Sequence, residues 1–180
     1  MKKFDEKKQI IMEKIADHLL SHGMKDSSLR PLAAVAGTSD RMLLHYFANK
    51  EELMTSVLFL ITERLIAILN NTKSEQLSFQ LLLPYLAGMV RDPNVRPYLR
   101  LWLELAASAA EGEEYYRTIA RQICDIYFDW IASALKVERE EDRISLAAFA
   151  FATIEGLVLL DLLGSDSLIA CALDGIAIRQ

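Results

Sequence analysis

One stretch of the chain, residues 27–53, constrains its fold more than any other: SSLRPLAAVAGTSDRMLLHYFANKEEL. Its punctuation predicts two short helices around a tight turn, with a third helix starting at once. Ser27 or Ser28 can cap the first helix, and Pro31 falls in its first turn, where a missing N–H costs little. Leu29, Leu32, Ala33 and Ala36 give that helix one apolar face. Gly37 then stops it, because glycine adopts the left-handed conformation of a helix end without steric cost. Ser39 caps the next helix, whose Leu43, Leu44 and Phe47 are predicted to face inward. Asn49, with Glu52 three residues on, has the spacing of a capping box for a third helix. Helix, glycine turn and helix form the plan that lays its second helix in the major groove of DNA.

These residues resemble the DNA-binding signature of the tetracycline-repressor (TetR-like) transcriptional regulators. The likeness rests on Ala33, Ala36-Gly37-Thr38-Ser39, Leu43, His45-Tyr46-Phe47, Asn49-Lys50-Glu51 and Leu53. It extends back to a first helix predicted over Lys7–His22 and closed by Gly23. It therefore covers roughly the first third of the chain, and the rest agrees with the family in length and helical character. Leu44 stands where many members carry an aromatic residue that reaches DNA. Asp40, near the start of the reading helix, is an acid that phosphate would repel.

A formal charge of −5 is unexpected for a DNA binder until the chain is divided. Residues 1–50 hold nine Lys/Arg against six Asp/Glu, while residues 51–180 hold eleven against nineteen. The basic excess thus lies at the helix-turn-helix end, the end expected to approach phosphate. With 52% hydrophobic residues and four prolines, the chain can bury a sizeable core and lacks the composition of a disordered segment.

Beyond residue 50 there is no strand-like alternation, internal repeat or low-complexity tract. Helices are predicted over Lys50–Asn70, Glu75–Val90 (with Pro84 kinking or splitting it), Val95–Ala110, Glu113–Leu135, Glu140–Leu163 and Ser165 or Asp166 to about Ile178. The fold class expected is all-α, with about nine helices. A three-helix DNA-binding head at residues 1–49 precedes a helical ligand-binding and dimerisation domain at 50–180.

The run ISLAAFAFATIEGLVLLDLL, residues 144–163, is apolar enough to test as a membrane span. Glu155 lies mid-segment and Asp161 near its end, and a central acid costs about 2.5–3.5 kcal/mol on insertion scales. No compensating partner is evident, so a helix buried between protein surfaces is the simpler reading. No apolar core follows the N-terminal lysines, as a secretory signal requires. Cys124 and Cys171, both within apolar helical patterns, are expected to be buried thiols in a reducing, cytoplasmic setting.

Candidate DNA-contacting residues are Arg30, Ser39, Asp40, Arg41, Met42, His45, Tyr46 and Lys50. Arg41 can bind guanine bidentately or grip a phosphate, and Met42 can touch a thymine methyl. His45 and Tyr46 match positions that, by the resemblance, face DNA. Lys50 opens a helix whose N–H groups and dipole also favour phosphate.

The resemblance further implies a small-molecule effector inside the bundle. Leu58, Tyr85, Met89, Trp102, Leu105, Tyr127 and Glu155 are the candidates to line its site, in keeping with an apolar pocket bearing a few polar groups. Glu155, a carboxylate amid apolar residues, needs a partner, a raised pKa or water. The last two helices carry apolar residues on more than one face, and small residues permit close approach. In the family this pair packs on its two-fold mate. Ala148, Ala152, Leu168 and Leu173 are the expected interface, since two reading helices about 34 Å apart are needed to read two half-sites.

No Gly-rich phosphate loop, nucleophile elbow or CxxC motif occurs. His18 and His22 are spaced to share a metal but lack a visible third ligand. Neither an enzyme nor a metal or cofactor site is expected. The function expected is a cytoplasmic, dimeric repressor that binds a palindromic operator in double-stranded DNA and is released by an apolar or amphipathic effector, with no membrane association. The alternative is a helical binding or scaffold protein of the same fold that has lost DNA binding.

Overall fold

Backbone punctuation decides where each helix begins and ends. The computed structural model describes residues 2–25, 27–72 and 75–178. Among them run nine α-helices: α1 (Lys2–His22), α2 (Leu29–Ala36), α3 (Asp40–Tyr46), α4 (Lys50–Thr72), α5 (Phe79–Val90), α6 (Arg96–Ala110), α7 (Glu114–Ala134), α8 (Arg143–Leu162) and α9 (Asp166–Ile178). A single 3-10 turn at Glu140–Asp142 precedes α8.

Several boundaries differ from expectation. α1 starts five residues before Lys7. α5 starts at Phe79 rather than Glu75, because Leu77 pairs with the backbone beside Leu135 in an isolated parallel bridge. Pro84 does not split α5. It and Gln80, whose carbonyl loses its usual donor, are both exposed, so water can satisfy that carbonyl.

The chain forms two compact units. The first takes residues up to Leu65 together with Arg100–Ala120. In it α1 packs on α2, and α2 on α3. Ile11, Ile15, Leu19, Leu32, Leu43, Phe47, Leu53 and Met54 are buried there, a stripe at helical spacing on α1 meeting the inner faces of the shorter helices. Leu29 is half-buried, and Ala33 and Ala36 are buried, as the apolar face of α2 requires. Gly37 ends α2 with φ 71°, donating to the Ala34 carbonyl, and Lys14 Nζ donates to the Ala36 carbonyl at 3.2 Å. Ser39 Oγ accepts from the Met42 amide at 3.3 Å and caps α3. Ser28 holds the cap position of α2 without a side-chain cap bond.

The second unit takes Ile66–Leu99 and residues 121–180. Here α5 packs on α8 and α9, and α8 on α9. Leu82, Leu83, Leu86, Ile131, Leu135, Ala147 and Ala150 share one core cluster, and Ala87, Leu157 and Ile169 form a second. Arg143 Nη1 donates to the Ala132 and Leu135 carbonyls at 2.8 and 2.6 Å, satisfying acceptors left open at the end of α7.

Glu140–Leu162 is long and apolar enough to cross a membrane by length and composition. Its acids are informative. Asp161, for which the sequence suggested no partner, is buried and faces two: Arg96 Nη2 at 3.0 Å and Arg91 Nε at 3.9 Å. The arginines are remote in sequence, at the C-cap of α5 and the first residue of α6, and only folding brings them to the end of α8. The thiols also differ from expectation. Cys124, on α7, is half-buried, and Cys171 is exposed because the apolar pattern of α9 continues round a face that this chain does not cover.

Candidate functional site

The second helix of the helix-turn-helix, α3, is seven residues long and owes its placement to two buried anchors. Leu43 is fully buried and Phe47, just after the helix, nearly so. Replacing such a leucine by alanine costs about 2–5 kcal/mol, so α3 has little freedom to roll. With Leu43 inward, Ser39, Asp40, Arg41, Met42, Leu44 and His45 are exposed, and Tyr46 is half-buried. This corrects the inward assignment of Leu44, which is 47% exposed. Adjacent residues on a helix point about 100° apart, and only one of Leu43 and Leu44 can face the core. Leu44 therefore shares the outer face with Arg41 and His45. Arg30, on α2, is exposed, and Lys50 is half-buried at the first turn of α4.

The turn into α4 is held tightly. Asn49 Oδ1 accepts the Glu52 amide at 2.8 Å. Glu52 Oε2 accepts the Ala48 amide at 2.6 Å, one residue short of a strict capping box, and Oε1 meets Lys8 Nζ at 3.2 Å. The Ala48 amide first, and then Lys8, holds the Glu52 carboxyl below the usual carboxylate range. Lys8 Nζ also sits 4.5 Å from the centre of the Phe47 ring. One α1 turn earlier, the Phe4 ring lies 4.7 Å from Tyr46 and 5.6 Å from His45, centroid to centroid. The expected start of α1 at Lys7 had left Phe4 out of the site.

Residues 100–120 grip the same unit from far along the chain. Glu104 Oε2 accepts the Met24 amide at 2.6 Å, just past the end of α1, and Arg100 Nη2 donates to the Leu20 carbonyl at 2.7 Å. Gly23, at φ 81°, leaves room for that carboxylate: a Cβ there would lie 2.5 Å from Glu104 Oε1. Tyr115 Oη donates to the Glu51 carbonyl at 2.7 Å and meets Thr55 Oγ1 at 3.2 Å. Partial burial raises the pKa values of Tyr115 and Tyr116 above the ordinary tyrosine value. Spacings of 60–80 residues made these anchors invisible to local pattern.

Residues 11–57 match the model of the bacterial regulatory proteins of the tetR family. The head is similar to the heads of that family over these residues. The tetR-type fold extends over the rest of the chain. A TetR-family transcriptional regulator from Rhodococcus sp. superposes with a TM-score of 0.76 at 24% identity, over 97% of this chain and 98% of that one. A transcriptional regulator from Saccharomonospora viridis in complex with choline gives 0.64 at 19% identity, over 97% and 93%. The Bacillus subtilis transcriptional regulator FadR in complex with stearoyl-CoA gives 0.61 at 15% identity, over 93% and 94%. No curated protein matches the sequence.

The effector candidates divide between the two units. Leu58 and Leu105 are buried and Trp102 half-buried in the first. Tyr85, Met89, Tyr127 and Glu155 are half-buried in the second, where Tyr85 Oη donates to the Leu69 carbonyl at 3.4 Å. Burial, followed by the charges of Glu155 and Asp125, raises the Cys124 thiol pKa, which makes it a weak nucleophile. Of the interface candidates, Ala148, Ala152 and Leu168 are exposed. Leu173 is half-buried against Ala87, Leu157 and Ile169. On α8 the exposed Phe149, Ala152, Gly156 and Leu159, followed by Leu163, alternate at spacings of three and four. The His18 and His22 rings stack at 4.4 Å, and no group of three or more metal-ligating side chains occurs among the described residues.

Proposed function

We propose that this protein is a dimeric transcriptional repressor, not an enzyme, that reads a palindromic operator with α3. The observation that carries the reading is the outer face of α3: Ser39, Arg41, Met42, Leu44 and His45 exposed on a helix pinned by Leu43 and Phe47. Residues 1–49 are the DNA-binding part and residues 50–180 carry effector and partner surfaces. Arg41 reaches guanine or phosphate, Met42 and Leu44 meet thymine methyls, and Lys50 with the start of α4 holds a phosphate. Arg30, Ser39, Asp40, His45 and Tyr46 complete the contact surface.

Dimerisation runs through Ala148, Ala152, Leu168 and Leu173. The support is the exposed apolar stripe on α8, with small residues that let two helices approach. The effector is an apolar or amphipathic molecule, with Tyr85, Met89 and Tyr127 as apolar walls and Glu155 receiving a polar or cationic group. Relatives of this fold bound to choline and to stearoyl-CoA make such ligands reasonable first candidates. An effector preferring the DNA-free state by about 1–3 kcal/mol lowers operator affinity about 5–150-fold. A cytoplasmic location without membrane association follows from a DNA target.

The test is operator binding by a duplex selected from a random pool with the wild-type chain. Arg41→Ala and Lys50→Ala should each weaken binding and reduce its salt dependence while leaving the dimer intact. Unchanged affinity in both variants refutes the assignment. Absence of any salt-dependent DNA binding by the wild type instead favours the scaffold reading, for which Asp40 on the outer face is the motivating residue.

A further inference from the structure

We infer that Phe4 is a positioning residue for DNA reading: it orders His45 and Tyr46 before the operator arrives. The inference rests on the proposed DNA-binding role of α3. Phe4 begins the stripe Phe4, Lys8, Ile11, Ile15 on α1, whose inner members are buried in the head core. At the outer end this stripe passes beyond the core and meets the reading helix. The Phe4 ring is 40% exposed, more than core packing alone requires. It packs edge-on to His45, with rings at 79°, and tilted by 39° on Tyr46, while His45 and Tyr46 themselves lie 5.3 Å apart at 72°. Three rings thus contact one another pairwise on the face of the head where α3 is exposed.

Two side chains at the end of a two-turn helix would otherwise sample several rotamers, and fixing them on binding has an entropic cost. An aromatic partner on a different helix removes part of that freedom in advance. Lys8, one turn on, secures Phe47 and Glu52 and keeps the α3 backbone in place, so the ring of Phe4 is left to act on side chains.

Aromatic pairs of this geometry shift an equilibrium by about 2- to 10-fold. Phe4→Ala should therefore weaken binding of the selected operator duplex several-fold, with the slope of affinity against salt unchanged because no phosphate contact is lost. Phe4→Tyr should restore binding, and Phe4→Leu, apolar without a ring, should not. In the free protein, Phe4→Ala should shift the His45 imidazole proton resonances by removing a ring current, with the thermal midpoint little altered. The deciding comparison is Phe4→Ala in a His45→Ala/Tyr46→Ala background, where it should have no further effect on affinity. Equal losses in both backgrounds, a reduced salt slope, or full binding by Phe4→Ala where the wild type binds would each overturn the inference alone. A wild-type chain that selects no duplex overturns the DNA-reading proposal and this inference with it.

Discussion

Gly23→Ala separates backbone strain from a specific contact, because Gly37 provides a control within the same unit. Both glycines have positive φ, 81° and 71°. At Gly37 a new Cβ meets only Lys14 Nζ at 3.5 Å, an ordinary contact with a flexible chain end. Gly37→Ala should cost the left-handed strain alone, about 1–2 kcal/mol. At Gly23 the Cβ would lie 2.5 and 2.6 Å from the two carboxylate oxygens of Glu104. The carboxylate must retreat, and its 2.6 Å bond from the Met24 amide is lost with it. A hydrogen bond to a charged group contributes about 1.5–3 kcal/mol. Gly23→Ala should therefore cost about 2.5–5 kcal/mol. Urea denaturation followed by circular dichroism measures both variants, compared at constant slope. In a Glu104→Ala background the Cβ finds room and the amide has already lost its acceptor. Gly23→Ala should then cost only about 1–2 kcal/mol, as at Gly37. An equal cost in the presence and absence of Glu104 refutes the reasoning.

Ala152→Arg should convert the dimer to a folded monomer on sedimentation. It is a cleaner test than Leu173→Arg, because Leu173 also packs on the α5–α8–α9 core; a normal Ala152→Arg dimer counts against this surface. Titration with choline or long-chain acyl-CoA should change tryptophan fluorescence and release the operator, with Glu155→Gln weakening the response to cationic choline more than to the anionic acyl-CoA. If no ligand of either class alters DNA binding, the effector reading fails. Acid should loosen the α3–α4 turn. Glu52 titrates below its ordinary value in the fold, so its stabilisation is complete above the ordinary carboxylate pKa and is lost as pH falls through the folded value. The urea midpoints of wild type and Glu52→Gln should differ near neutral pH and converge as pH falls through and below the carboxylate range; a pH-independent difference contradicts this.

What the sequence made legible was local. Gly37, Ser39 and Asn49 act on backbone groups within a few residues of themselves, so the two short helices and the start of α4 could be placed directly. Leu43 and Leu44 show the limit of periodicity. On a seven-residue helix a shift of one position leaves the apolar pattern almost unchanged, and burial against α2 makes the choice. Phe4 lies outside a helix predicted to start at Lys7; with α1 starting at Lys2, its spacing from Ile11 and Ile15 places it on the core stripe. The Glu104–Met24 and Arg96–Asp161 pairs join residues 80 and 65 positions apart, and nothing in either local pattern specifies the partner. The exposed Cys171 has another cause: α9 is apolar beyond what one chain can cover, so hydrophobic pattern overstated burial.

The return of residues 100–120 to the head unit bears on how such regulators can be recombined. Leu20, Met24 and Glu51 offer backbone groups to Arg100, Glu104 and Tyr115, so the anchorage of the head is written in two separate parts of the gene. A hybrid made by grafting residues 1–51 onto another body brings the outer face of α3 without the side chains that hold the head. Transplanting the head intact takes two exchanges, with the second covering 100–120. A single exchange is tolerated only where the recipient already carries an arginine, an acid and a phenol at the matching places. On the proposed DNA-reading role of α3, specificity should change more readily by substitution along its outer face than by trading whole heads.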